Sequence, residues 1–185
     1  MKDTLRLILF LECNMSCSYC CNDNEINSKQ FVQKSFEEID FTQYKNVCLT
    51  GGEPFLNRDM LYSSLLRIPS DKNVYIYTNG TKMLTKDAST IDFINSWRND
   101  FIKGINIGVH TLDQLRAVPL VESVIGKIIR FKINKFLFPT IMKKKYFGWR
   151  MNQEQQIYHG FKVEPFIVKD NCSMPNEDWV LLKKI

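Results

Sequence analysis

A single α/β domain whose parallel sheet curls into a partial barrel is the fold this sequence predicts, and three observations lead there. Strand-like runs alternate with helical patterns along the chain, one face of those strands is too polar for a dry core, and 185 residues at 44% hydrophobic content suffice for one sizeable core. Eight Gly and six Pro, with no repeat and no low-complexity run, argue against disorder.

The strand-like runs are Thr4–Glu12, Asn46–Thr50, Asn73–Thr78, Gly104–His110, Lys127–Phe138 and Phe161–Val168. Helical spacing of apolar residues, at three- and four-residue intervals, marks Phe31–Tyr44, Asp59–Ile68, Ser89–Asn99, Thr111–Val124 and Gly148–Tyr158. Strands that alternate with helices imply parallel pairing through right-handed crossovers. Side chains alternate across a strand, so one parity collects Leu5, Leu7, Leu9 and Leu11, then Ile105, Ile107 and Val109, then Ile129, Phe131 and Ile133, the sets expected to face helices. The other parity collects Glu12, Cys48, Thr50, Tyr75, Tyr77, Asn79, Asn106, His110, Arg130, Lys132, Asn134, Lys162 and Glu164. A doubly wound sheet wants both faces apolar; a curved sheet with a polar, ligand-holding interior and its working end at the strand C-termini fits this pattern better.

Charge and cysteine are both unevenly placed. Lys127, Arg130, Lys132, Lys135, Lys143, Lys144, Lys145 and Arg150 fall between Ser123 and Gln153 with no acidic residue among them, and this segment supplies the whole positive balance of +5. Such a block is either a solvated surface or a site that attracts phosphate or another anion. The longest apolar stretches fall far short of the ~20 residues of a bilayer-spanning helix, and the acidic N-terminus has no signal cleavage pattern, so a soluble, cytoplasmic protein away from the membrane is expected. Four of the six cysteines, Cys13, Cys17, Cys20 and Cys21, crowd directly after the first strand. A chain of this length has no need of a disulfide staple, and thiols so gathered read as metal ligands.

Cys13-Asn14-Met15-Ser16-Cys17-Ser18-Tyr19-Cys20 forms a C-x3-C-x2-C loop. Soft thiolates favour zinc or iron–sulfur clusters, and a cubane held by three of them keeps one iron for a small ligand. Closed zinc sites usually draw their ligands as two spaced pairs, and no second C-x2-C or His pair follows in this sequence.

With its aromatic Tyr19, this loop resembles the C-x3-C-x-Φ-C signature of the radical S-adenosylmethionine (radical SAM) enzymes. Thr50-Gly51-Gly52-Glu53-Pro54 at the end of the second strand is similar to that family's GGEP motif, and Thr78-Asn79-Gly80 at the end of the third is similar to its TNG signature. The resemblance implies a partial (β/α)6 barrel of the radical SAM type over residues 1–168, with residues 169–185 as a tail packing on or extending it. It also implies a [4Fe-4S] cluster on Cys13, Cys17 and Cys20, with SAM chelating the open iron and cleaved by an electron from a donor such as flavodoxin or ferredoxin. The resulting 5′-deoxyadenosyl radical takes a hydrogen atom from substrate, while the protein positions the reactants and excludes water.

The same resemblance places Gly51, Gly52, Glu53 and Pro54 at the SAM amino group and Tyr19 near the adenine. Thr78 and Asn79 either orient SAM or substrate or simply make an Asn-Gly turn. His110 either touches the SAM ribose or carboxylate or serves a structural role. The fifth strand lacks the family's G-x-I-x-G-x-x-E signature and offers Arg130 and Lys132, cations suited to the SAM carboxylate or a substrate anion. Cys21 reads as a spectator thiol; Cys48 either faces the interior or fills the core. The basic segment points to an anionic substrate, a nucleotide or nucleic-acid base. Activation of a glycyl-radical enzyme, or peptide modification beside a partner protein, are the alternatives the family offers.

Overall fold

The computed structural model describes residues 2–17, 20, 31–84, 88–96, 101–109, 111, 114, 129–134, 151–152, 157–158, 161–166 and 177–183. The chain divides into two compact units, residues 1–77 with 168–185, and residues 78–167.

The first unit is built on parallel strands in the order β2 (Val32–Lys34), β10 (Glu177–Leu182), β1 (Thr4–Ile8), β3 (Asn46–Thr50) and β4 (Asn73–Thr78). Alternation along β1, β3 and β4 drives Leu5, Leu7, Val47, Leu49, Val74 and Ile76 to one face, where all are fully buried. Helix α1 (Arg58–Arg67) contributes Leu61, Ser64 and Leu65 to the core, the three- and four-residue spacing of a single helical stripe. Asn57 starts α1 by accepting a hydrogen bond from the Met60 N–H at 3.0 Å, Asp59 and Arg67 complement the helix dipole at its two ends, and the extended Ile68 before Pro69 stops it.

The opposite face of these strands is polar, and the register aligns it in rows. Glu177, Thr4, Asn46 and Asn73 form one row; Trp179, Arg6, Cys48 and Tyr75 form the next. In the first row the Asn73 amide donates to Asn46 Oδ1 at 3.1 Å and the Asn46 amide to Thr4 Oγ1 at 3.4 Å.

The second unit holds β5 (Ile102–Val109), β6 (Ile129–Asn134) and β9 (Phe161–Phe166) in parallel, with β8 (Ile157–Tyr158) and β7 (Met151–Asn152) following antiparallel. Ile105, Ile107 and Val109 are fully buried on one parity of β5, and Asn106 is buried on the other. Helices α2 (Thr81–Leu84) and α3 (Ala88–Ser96) lie between β4 and β5 in sequence. Thr111 and Gln114 exchange hydrogen bonds, each side chain accepting from the other's backbone N–H at 3.2 and 3.1 Å, a reciprocal cap at the expected helix start. The rest of the helix expected over Thr111–Val124 lies outside the described residues.

All six expected strands are present, and the fold is α/β, with β1, β3 and β4 parallel in the first unit and β5, β6 and β9 parallel in the second, the class expected of the partial barrel. Two expected helices are replaced. Over Phe31–Tyr44 the chain forms β2 and two 3₁₀ turns, Phe36–Glu38 and Phe41–Gln43. Asp40 accepts from the Thr42 N–H at 3.0 Å and the Ser35 N–H donates to Glu38 at 2.6 Å, local bonds that compete with a continuous helix, while buried Phe36 and Ile39 satisfy a three-residue repeat as readily as a longer one. Over Gly148–Tyr158 the structure has β7 and β8, consistent with the ladder preference of Ile157 and Tyr158. No helix among the described residues is long and apolar enough to cross a membrane.

Candidate functional site

Beyond Ile8 the chain leaves β1 but keeps its partner. The Leu9 N–H donates to the Thr50 carbonyl at 2.9 Å, Gly52 N–H to the Phe10 carbonyl at 2.7 Å and Glu53 N–H to the Glu12 carbonyl at 2.9 Å. Residues 9–12 and 50–53 are thus laced together past the ends of β1 and β3, and Cys13 is the next residue after the last of these bonds.

The two glycines make that closeness available. Gly51 has φ +152°, a conformation that side chains disfavour, and a Cβ there would stand 2.6 Å from the Phe10 carbonyl oxygen; a Cβ on Gly52 would fall 1.7 Å from the Glu12 carbonyl oxygen. In the direction of their missing side chains, therefore, both glycines face the backbone of residues 9–12, the segment that leads into Cys13. Glu53 is fully buried, and its Oε1 accepts from the Phe55 N–H at 3.1 Å, opening a 3₁₀ turn whose first residue is the buried Pro54.

Cys13 is exposed, Cys17 and Cys20 are half-buried, and none of the three is in a disulfide. The Cys20 N–H donates to the Cys17 carbonyl at 2.9 Å, turning the chain between them. Three reduced thiols on one solvent-facing loop at a strand end suit an iron–sulfur cluster by the chemistry of the donors. Among the described residues, no three of His, Cys, Asp or Glu converge on a common point, so the structure places these thiols on one loop without drawing them together. Tyr19 and His110 lie outside the described residues.

In the second unit, Thr78 is buried and its Oγ1 accepts from the Gly80 N–H at 3.0 Å, while Asn79 Oδ1 accepts from the Thr81 N–H at 2.9 Å. Gly80 takes φ +72°. Thr78-Asn79-Gly80 is therefore a side-chain-stabilised turn into α2, and Gln114 donates to the Asn79 carbonyl at 3.1 Å. The register sets Arg130 opposite Asn106, and Lys132 between Gly108 and Glu164, so both cations stand at positions of the parity that carries buried Asn106.

Below the cysteine loop, on the polar face of the first unit, sits a group that sequence reasoning missed. Arg6 donates to Glu177 through Nε at 2.6 Å and Nη2 at 3.0 Å, and its guanidinium lies 4.4 Å from the Tyr77 ring centroid and 5.0 Å from that of Trp179. Phe31 stacks on Trp179 at 5.8 Å. Burial disfavours the charge on Arg6, but the Glu177 hydrogen bonds and charge, with Cys48 and Tyr77 adding to them, outweigh it and hold the guanidinium above its ordinary value. Burial, and then Cys48, push the Tyr77 phenol upward, with Arg6 opposing. Cys48 is buried, in register with Arg6 and Tyr75. Parity alone would have found Arg6, which shares its face with Glu12.

A family model described as the Radical SAM superfamily matches residues 7–136. Among curated proteins, the chain is 27% identical over 168 residues to the GTP 3',8-cyclase of Haemophilus influenzae, covering 77% of this chain and 47% of that protein. It is 26% identical over 144 residues to a probable GTP 3',8-cyclase of Pyrococcus horikoshii, covering 74% and 44%. With the GTP 3',8-cyclase of Pasteurella multocida it shares 30% identity over 122 residues, covering 59% and 33%. The chain spans less than half the length of these curated relatives.

Proposed function

The chain belongs to the radical SAM superfamily, and on that premise we propose that it reductively cleaves SAM and abstracts a hydrogen atom from a nucleotide substrate. One observation carries the reading: residues 9–12, which lead directly into the three-cysteine loop, are laced by backbone hydrogen bonds to Thr50, Gly52 and Glu53, so that loop and the Gly51-Gly52-Glu53-Pro54 turn start from one strand end. Cys13, Cys17 and Cys20 would hold a [4Fe-4S] cluster, fed by a one-electron donor of the flavodoxin or ferredoxin kind. When bound, cluster and SAM supply the 5′-deoxyadenosyl radical; the difficult chemistry is theirs, and the protein's part is placement.

Residues 51–54 bring polar backbone groups beside the thiol loop, which suits them to the methionyl end of SAM, and Tyr19 would wall the adenine. Thr78, Asn79 and His110 are assigned to orienting SAM or substrate. Arg130 and Lys132 are assigned to an anionic group, since each adds a cation to the strand face that carries Asn106. A nucleotide is the substrate class favoured, because the basic segment attracts phosphate and because the relatives matched are named GTP 3',8-cyclases.

Anaerobic reconstitution with iron and sulfide, then dithionite and SAM, is expected to release 5′-deoxyadenosine, and Cys17→Ala to abolish that release. A loaded cluster that leaves SAM intact would reject the reading. GTP binding, followed by isothermal calorimetry, is expected to weaken with rising salt and to fall about tenfold in Arg130→Ala or Lys132→Ala, the scale of one charge-assisted hydrogen bond. Affinity unchanged in both variants would leave the basic segment as surface and the substrate outside the nucleotides.

A further inference from the structure

We infer that Gly51 and Gly52 are positioning residues for the cluster loop itself, acting through the Phe10 and Glu12 carbonyls and independently of any contact with SAM. The inference rests on the assignment of Cys13, Cys17 and Cys20 as cluster ligands and concerns what holds their loop. A ligand-approach role requires the bare side of a glycine to face the ligand. Here the bare sides face residues 10–12: the Cβ positions of Gly51 and Gly52 lie 2.6 and 1.7 Å from main-chain oxygens of Phe10 and Glu12. Normal carbon–oxygen contact is about 3.3 Å or more. A methyl at residue 52 must therefore push away the Glu12 carbonyl, a backbone atom with no rotamer to escape into.

That carbonyl is the acceptor for the Glu53 N–H, and Glu12 is bonded directly to Cys13. Displacing it moves the first thiol and breaks the last hydrogen bond lacing the two segments. On the other side, Glu53 is fully buried and tied to Phe55, so the turn has a rigid seat and the strain passes into the cysteine loop. Supporting groups behind metal ligands are worth roughly 10–100-fold in metal affinity. Coupling of this kind is reciprocal: if the turn fixes the cluster loop, loading the cluster must tighten the turn.

The test omits SAM throughout. Wild type, Gly52→Ala and Gly51→Ala are reconstituted anaerobically, and iron and sulfide content, the rate of cluster loss to a chelator and the electron paramagnetic resonance spectrum of the dithionite-reduced cluster are compared. Gly52→Ala is expected to lose its cluster at least about tenfold faster and to give an altered spectrum, with far-ultraviolet circular dichroism preserved. Because a variant can fail to fold, hydrogen exchange is measured on wild type alone. Cluster loading is expected to slow exchange of the Gly52 and Glu53 amides by at least about fivefold. A Gly52→Ala protein that holds its cluster as wild type does, or amides whose exchange ignores the cluster, overturns the inference while leaving the ligand assignment intact. A wild type that takes up no cluster overturns the assignment and the inference with it.

Discussion

Arg6 is the residue on which the polar face of the first unit turns. Its side chain is 8% exposed and that of Glu177 15%, so the pair has given up most of its hydration, and the two-point contact with flanking Tyr77 and Trp179 rings replaces it. Removing one partner strands the other charge, whereas replacing both by apolar side chains restores a neutral environment. Arg6→Met is accordingly expected to cost about 3–5 kcal/mol, and Arg6→Met with Glu177→Leu to recover most of that loss. Urea unfolding of both single variants and the double variant measures the coupling; costs that merely add would show that the pair does not act as a unit. What the sequence disclosed here was the face: alternation puts Arg6 with Cys48, Tyr75 and Tyr77. What it hid was the partner, 171 residues away in a tail with no recognisable strand pattern. Glu53 shows the same division, since its motif was plain but its burial and its bond to the Phe55 N–H depend on a turn that only the folded chain makes.

At the scale of elements, β10 is anchored to its neighbours by side chains as well as by its ladder. The Tyr44 hydroxyl, just past the second 3₁₀ turn, donates to Asp178 Oδ2 at 2.9 Å, and Lys2 reaches Asp178 Oδ1 at 2.8 Å. The Lys2 bond foremost, then the Tyr44 bond, hold the Asp178 carboxyl below its usual range, so its stabilisation is present above about pH 4 and fades as pH falls through the lowered value. Burial foremost, then the bond to Asp178, push the Tyr44 phenol up to about 12. That contribution is intact below about pH 10 and is lost as pH rises through about 12. Tyr44→Phe should therefore be less stable than wild type at pH 8 by about 1 kcal/mol, the net worth of one hydrogen bond, and the gap should close as pH approaches 12. Urea midpoints across that range measure it; a gap that stays constant would mean the phenol proton is not shared with Asp178. The long strands β1, β3, β4 and β5 were readable because alternation persists over five or more residues. β2, β7 and β8 have three, two and two residues, too few for any period, and their identity comes from the neighbour they pair with.

For the molecule as a whole, the consequential departure from a simple strand–helix alternation is that β10 lies beside β1. The strand that delivers the cysteine loop is thereby flanked on both sides, by β3 and by β10, and β10 in turn carries β2. A strand paired on both edges has its amides satisfied along its whole length, and Arg6, midway along β1, draws its counter-ion from the added strand. Ending the chain at residue 174 would expose the β1 edge, strand the Arg6 charge, release β2 and leave Phe31 without Trp179. Such a chain is expected to lose cooperative unfolding and to associate through the bared edge, read as a broad urea transition and as oligomers in size-exclusion chromatography. Adding a synthetic peptide of residues 175–185 should restore a sharp transition, since the strand supplies both the ladder and Glu177; the same peptide with Glu177→Ala should restore it less well, by the few kcal/mol that an unpaired buried guanidinium costs. If instead the shortened chain unfolds as sharply and at the same midpoint as the whole, β10 is an ornament on the sheet, and the cysteine loop owes its footing to β3 and the Gly51-Gly52-Glu53 turn alone.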